Sequence, residues 1–129
     1  MPGSNTEFVL LQSASRTASL DTDVQDNADR AGVILTLDIT SGAASGGLLP
    51  QLRVVNVLTG ATELVTRAPM PVRSVGTYAY HFYPFADGAG VRAHFYAPIF
   101  LPKSWLVTIT HEGGLPITYS LVGQYVRGG

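Results

Sequence analysis

Cysteine, charge and long apolar runs are absent or scarce in this sequence of 129 residues. With no cysteine, neither a disulfide framework nor a thiolate metal site can support the fold, which fits assembly in a reducing cytoplasm. No uninterrupted apolar run reaches the ~20 residues of a membrane-spanning helix. The N-terminal stretch MPGSNTEF also lacks a basic region followed by an apolar one. We therefore expect a soluble protein that is not processed by the secretory route.

The low charge content is informative about partners. Charged residues make up 13% of the chain, against about 25% in an ordinary soluble domain. The apolar fraction of 46% is ordinary, so the surface must be rich in small, hydroxyl-bearing and apolar residues. Such a surface favours association with other subunits, although a monomer with a neutral surface stays open as an alternative. A net charge of -1 argues against a nucleic-acid partner.

Strand patterns dominate the chain, and no segment has the 3.6-residue period of a helix. The run GVILTLDIT places four aliphatic residues on one face: Val33, Leu35, Leu37 and Ile39. The stretch SWLVTITHEGGLPITYSL, residues 104–121, has two alternating runs around a glycine turn and predicts a hairpin. Its Trp105 and Tyr119 are predicted to be core or rim anchors rather than ligand platforms, because large aromatic side chains dominate core burial.

About seven to eight short strands separated by glycine and proline turns predict a single all-β domain. The expected architecture is an antiparallel β-sandwich, jelly-roll or immunoglobulin-like, or a partly closed barrel. Residues 7–129 are assigned to this domain. Residues 1–6 contain nothing that would build a core and are predicted to form a flexible N-terminal arm.

No arrangement of residues in the sequence indicates catalysis. His81, His94 and His111 lack metal-ligand spacing, and zinc needs three or four convergent ligands. The glycine-containing run at 87–90 is not followed by Lys-Ser/Thr and is better explained as a turn. The acidic residues of the segment 21–29 lack the glycine and terminal glutamate of a calcium loop. We therefore predict no enzyme activity, no cofactor and no bound metal.

Three segments, taken in order, resemble a group of small tailed-bacteriophage virion proteins. They are LLQSASRTASLDTDVQDNADRAGVILTLDIT, a Thr-Gly hairpin after QLRVVNV, and LPKSWLVTITHEGGLPITYSLVGQYV. The matching positions are Leu11, Ser13, Arg16, Thr17, Arg30, Leu37, Asp38, Ile39, Thr40, Leu101, Pro102, Trp105, Val107, His111, Ile117, Thr118, Tyr119 and Ser120. Residues 42–50 and 66–100 interrupt the resemblance.

The resemblance implies a structural protein that decorates or cements the exterior of a phage capsid. Its partners would be the lattice of the major capsid protein and further copies of itself, as a dimer or trimer. It would be assembled in the host cytoplasm and located on the capsid surface of the virion. The family offers no catalytic residues to transfer.

The longest connection, FADGAGVRAHFYAPIFLP, carries apolar residues that a free loop would not normally display. We take six of them as the candidate interface: Phe85, Val91, Phe95, Tyr96, Ile99 and Phe100. An alternative function is a tail or fibre-associated module that recognises host carbohydrate or protein. In that case exposed aromatic residues would stack on sugars, the candidates being Tyr78, Tyr80, Tyr83, Phe85, Phe95 and Tyr96.

Overall fold

A computed structural model describes residues 7–27, 30–42, 46–56, 58–67, 70–84 and 94–127, and these form ten β-strands. None of these residues is helical, so no helix among them could cross a membrane. The strands are β1 Glu7–Arg16, β2 Leu20–Asp21, β3 Gln25–Asp26, β4 Arg30–Ser41, β5 Gly47–Val55, β6 Thr62–Arg67, β7 Gly76–Phe82, β8 Phe95–Ala97, β9 Ser104–Glu112 and β10 Ile117–Arg127. The predicted all-β class is confirmed.

The strands form two sheets whose buried faces share one core. Sheet A has the order β1-β10-β4-β7-β8, and sheet B has the order β2-β9-β5-β6, with β3 also paired to β9. The hairpin predicted over residues 104–121 is therefore wrong, because its turn carries the chain from β9 in one sheet to β10 in the other. Every pair is antiparallel except β7 with β8. The arrangement is therefore a sandwich rather than a closed barrel.

Three of the ten strands are only two or three residues long, which explains why the sequence pattern predicts fewer. From sequence, residues 16–20 are a candidate short edge strand, but Arg16 ends β1 and Leu20 begins β2. The alternating run QLRVVNVL predicts a strand over residues 51–58, but the strand begins at Gly47 and ends at Val55. The predicted N-terminal arm, residues 1–6, lies outside the described residues.

The core is built from the alternating residues of the long strands. In β4 the four predicted core residues are at most 1% exposed, and their neighbours on the other face are only half-buried. Trp105 and Tyr119 are fully buried, which confirms their prediction as core anchors. Burying each such side chain stabilises the fold by about 1.5–3 kcal/mol. The sandwich is therefore held by apolar packing between the sheets.

The edge strand β1 is interrupted by a bulge that Arg16 fills. The β1–β10 register shifts between Leu11 and Ala14. The Arg16 guanidinium donates hydrogen bonds to the carbonyl oxygens of Gln12 (2.6 Å), Ala14 (3.3 Å) and Tyr119 (2.8 Å). It also lies 4.6 Å from the centre of the Tyr119 ring, within cation–π range. One side chain thus replaces ladder hydrogen bonds that the bulge removes.

The buried hydroxyl of Tyr80 makes no hydrogen bond within the described part of the chain, although the ring itself is fully buried. Burial raises the pKa of this phenol, and the nearby Tyr78 raises it further. Because an unpaired buried hydroxyl costs about 1–3 kcal/mol, we expect Tyr80→Phe to raise the free energy of unfolding by about 1 kcal/mol. Urea denaturation at pH 7 followed by circular dichroism measures this change. A lower midpoint for Tyr80→Phe would show that the hydroxyl has a partner.

Candidate interaction surface

Each of the three histidines has different neighbours in the fold. The Nδ1 of His81 lies 3.0 Å from the Tyr83 hydroxyl, and burial lowers the pKa of His81. The ring of His94 stands edge-on to two tyrosines of β7. The buried His111 lies near the end of β9, with its Nε2 2.7 Å from the carbonyl oxygen of Leu115. Across the described ranges, no three His, Cys, Asp or Glu side chains are grouped so that they could hold a metal ion.

Two carboxylates of the described residues link neighbouring strands. The hydroxyl of Thr108 donates to Oδ1 of Asp21 at 2.7 Å, which connects β9 to β2. The hydroxyl of Thr77 donates to Oδ1 of Asp38 at 3.1 Å, which connects β7 to β4. These are cross-strand contacts of the kind that stabilise sheets. The acidic residue at 29 and the glycine-containing run at 87–90 lie outside the described residues.

The structure divides the candidate interface between core and surface. Phe95 is half-buried, with its ring centre 6.2 Å from that of Phe82, and Ile99 packs against the core. Tyr96 and Phe100 are 46% and 75% exposed. Two of the candidates, Phe85 and Val91, lie outside the described residues. Of the four that are described, two side chains are therefore free to contact a partner.

Phe100 is displayed by a backbone that is tied to the sandwich. The amide of Leu101 donates to the carbonyl of Ala31 at 2.9 Å, and the amide of Ile99 donates to that of Ala97 at 2.9 Å. The side-chain amide of Asn27 donates to the carbonyl of Leu101 at 3.1 Å. Because both flanking residues are anchored, an exposed Phe100 side chain is a fixed feature of this end of the molecule.

The turn between β5 and β6 displays Leu58 at the same end of the sandwich. The end of β5 pairs with Trp105, at the start of β9, so the turn and the connection that carries Phe100 lie at the same end of the sandwich. Asn56 begins the turn, since its Oδ1 accepts a hydrogen bond from the amide of Leu58 at 2.9 Å. Leu58 is 92% exposed. We call the surface that includes Leu58 and Phe100 the Phe100 end.

Sequence reasoning missed Leu58, because it extended the preceding strand through this residue. The signal that could have located it is Asn56, followed by Gly60. Asparagine favours the start of a turn, and Gly60 has a positive φ of 77°. A leucine inside a turn of that composition is expected to be exposed.

The aromatic residues considered for sugar stacking are mostly covered. Tyr80 and Tyr83 are buried, Tyr78 and Phe95 are half-buried, and Tyr96 is exposed. Phe85 lies outside the described residues. Stacking on a sugar requires an open ring face, so these residues do not form a continuous platform where the structure describes them.

Comparison with known proteins leaves the family open. No family model matches the chain, and no curated protein matches it. A solved structure, "Crystal structure of PirA", is similar to it with a TM-score of 0.39 and 12% sequence identity, over 97% of this chain and 94% of that chain. A likeness at this level carries no argument about function.

Proposed function

We propose that this chain is a non-catalytic structural protein that acts through protein–protein contacts, and that it decorates or cements the exterior of a tailed-phage capsid. Its proposed partners are the major capsid protein lattice and other copies of the chain. The proposed location is the capsid surface of the virion.

The observation that carries the proposal is the Phe100 end. Two large aliphatic or aromatic side chains, Leu58 and Phe100, are 92% and 75% exposed there. Large apolar groups on an anchored surface lower the free energy when a partner covers them, by about 25 cal/mol for each Å² removed from water. Fixing them in place before binding also reduces the entropy cost of association. This end is therefore suited to dock on another protein.

Two further observations support the capsid as the partner. Charged residues are only 13% of the chain, so the surface has few groups whose desolvation would oppose docking. The sequence also resembles small virion proteins of tailed phages in the first and last segments of the chain. Three strands within those segments are interior strands of their sheets: β4 and β10 in sheet A and β9 in sheet B.

Co-sedimentation with undecorated capsids tests the proposal. The capsids are assembled from the major capsid protein of the same genome, and the purified chain is titrated onto them. We expect saturation at a fixed ratio to the capsid protein. Phe100→Ser is expected to weaken binding at least about tenfold, as loss of an interface anchor does.

Leu115→Ser is the matched control. Leu115 is 52% exposed in the β9–β10 turn, at the opposite end of the sandwich, so this change should leave capsid binding unaltered. The proposal fails if the wild-type chain does not sediment with capsids at any concentration. Binding to purified tails instead would favour the tail or fibre module.

A further inference from the structure

The outward face of sheet A carries few charges and has alternating side chains that point away from the core. We call it the sheet A face and define it by the half-buried or exposed outward residues of its strands: Glu7, Val9, Ile34, Thr36, Asp38, Thr77, Ala79, His81, Tyr96, Ser120, Val122 and Gln124. From this face we infer that two copies of the chain pack sheet to sheet, about a two-fold axis.

The pairing register arranges the sheet A face in rows across the strands. The central row runs from Val9 through Val122 and Thr36 to Ala79. The adjacent row contains Glu7, Gln124, Ile34, His81 and Tyr96. The central row consists of β-branched and small residues, which the inner faces of packed sheets also present to each other.

Few charges oppose contact between two such faces. Among the described residues, the carboxylates on the sheet A face are Glu7, on the edge strand, and Asp38, which accepts a hydrogen bond from Thr77. The central row has no ionisable side chain. The outward face of sheet B differs, since it carries Asp21, Arg53 and Arg67 beside its apolar residues. Self-association therefore meets less electrostatic and desolvation cost on sheet A.

The area of the sheet A face suits a dimer. Its two longest strands, β4 and β10, have 12 and 11 residues. At ~3.3 Å per residue and ~4.8 Å between strands, the five strands cover on the order of 600–800 Å². A stable interface buries about 800 Å² on each partner.

A second copy is the partner whose shape matches this face. Twisted sheets pack face to face when their twists agree, with strands inclined by about 30°. Two identical sheets have the same twist by construction, and an isologous contact uses the same patch on both subunits. The sheet A face does not include Leu58 or Phe100, so the dimer can form without a capsid.

Sedimentation equilibrium of the full chain in solution tests the inference. The expected mass is twice the 13.7 kDa of one chain at micromolar concentrations. Thr36→Lys places a lysine in the central row of each copy, so that like charges meet across the two-fold axis and the dissociation constant rises at least about thirtyfold. Thr110→Lys is the matched control, because Thr110 lies outward on β9 of sheet B, opposite Leu49. It should remain dimeric.

Circular dichroism and thermal melting establish whether each variant is folded. If Thr36→Lys does not fold, Val9→Lys tests the same row, since Val9 is 53% exposed on the edge strand and can accept a lysine. The inference fails if the wild-type chain is still a monomer at a concentration about 100 times that used in the capsid co-sedimentation assay. Dissociation by Thr110→Lys but not by Thr36→Lys or Val9→Lys would also overturn it. Capsid binding by a monomer would leave the proposed function intact.

Discussion

Gly32→Ala is expected to destabilise the fold strongly. A Cβ at Gly32 would lie 1.9 Å from the carbonyl oxygen of Phe82 and 2.5 Å from the Cβ of Tyr83. The carbonyl oxygen is backbone, and Phe82 pairs with Val33 at the end of the β4–β7 ladder. Relief of the overlap must therefore separate β4 from β7. Since overpacking costs about 1–3 kcal/mol or more and a domain has a total stability of about 5–15 kcal/mol, we expect a loss of at least about 3 kcal/mol.

Gly123→Ala is the matched control for this change, because Gly123 also lies inside a strand of sheet A. The nearest atoms to a Cβ there are those of the Phe8 ring, at 2.5 Å. A half-buried side chain on the edge strand can move, whereas a ladder carbonyl cannot. Urea unfolding and soluble yield should therefore rank the wild type first, Gly123→Ala second and Gly32→Ala last. Equal stabilities of the two variants would contradict the backbone explanation.

The long strands could be predicted from the sequence because their residues alternate strictly. In β4, β9 and β10, apolar side chains occupy every second position, and the structure buries them. The alternation predicted the strands but not their partners, since β9 and β10 lie in different sheets. The same pattern led to Trp105 and Tyr119 as core anchors. Where local pattern and tertiary packing agree, local reasoning is sufficient.

The start of β5 could not be predicted, since Pro50 and the preceding glycines resemble a loop. Proline is tolerated there because of its neighbours. The amide of Leu48 donates to the carbonyl of Val72, so the N of Pro50, two residues later, points to the same side. On that side the described part of β6 ends at Arg67, opposite Gln51, so Pro50 lies beyond the described pairing of β5 with β6. Only the strand order reveals this.

The surface was harder to predict than the core. The sequence places Phe95, Tyr96, Ile99 and Phe100 in one apolar connection, but their division between core and solvent depends on β8 pairing with β7. That parallel pair places Phe95 beside Tyr80. Because β8 has only three residues, its sequence is too short to show an alternating pattern that would predict the pairing. The sheet A face has a similar origin, because its rows are set by register between strands distant in sequence.

Trp105→Ala is expected to cost about 4 kcal/mol of unfolding free energy, near the middle of the range for large-to-small substitutions of buried aromatic residues. Trp105 is fully buried on β9. Its ring centre lies 6.3 Å from that of Phe8 and 6.2 Å from that of Tyr125, both in edge-on geometry. Phe8 and Tyr125 stack on each other at 4.7 Å on sheet A, so Trp105 connects the two sheets at this cluster. Its removal leaves a cavity between the sheets.

Phe100→Ala is the control for the loss of a large aromatic group. Because the Phe100 side chain is 75% exposed, its removal should change the free energy of unfolding by no more than about 0.5 kcal/mol. Trp105 is the single tryptophan, so unfolding must be followed by circular dichroism rather than by intrinsic fluorescence. Trp105→Phe should recover part of the loss, because a smaller ring keeps one edge-on contact with the Phe8–Tyr125 stack. If Trp105→Ala and Phe100→Ala were equally mild, the cluster would not hold the two sheets together. Stability would then reside in the aliphatic rows of β4 and β10, which pair directly with each other along ten positions.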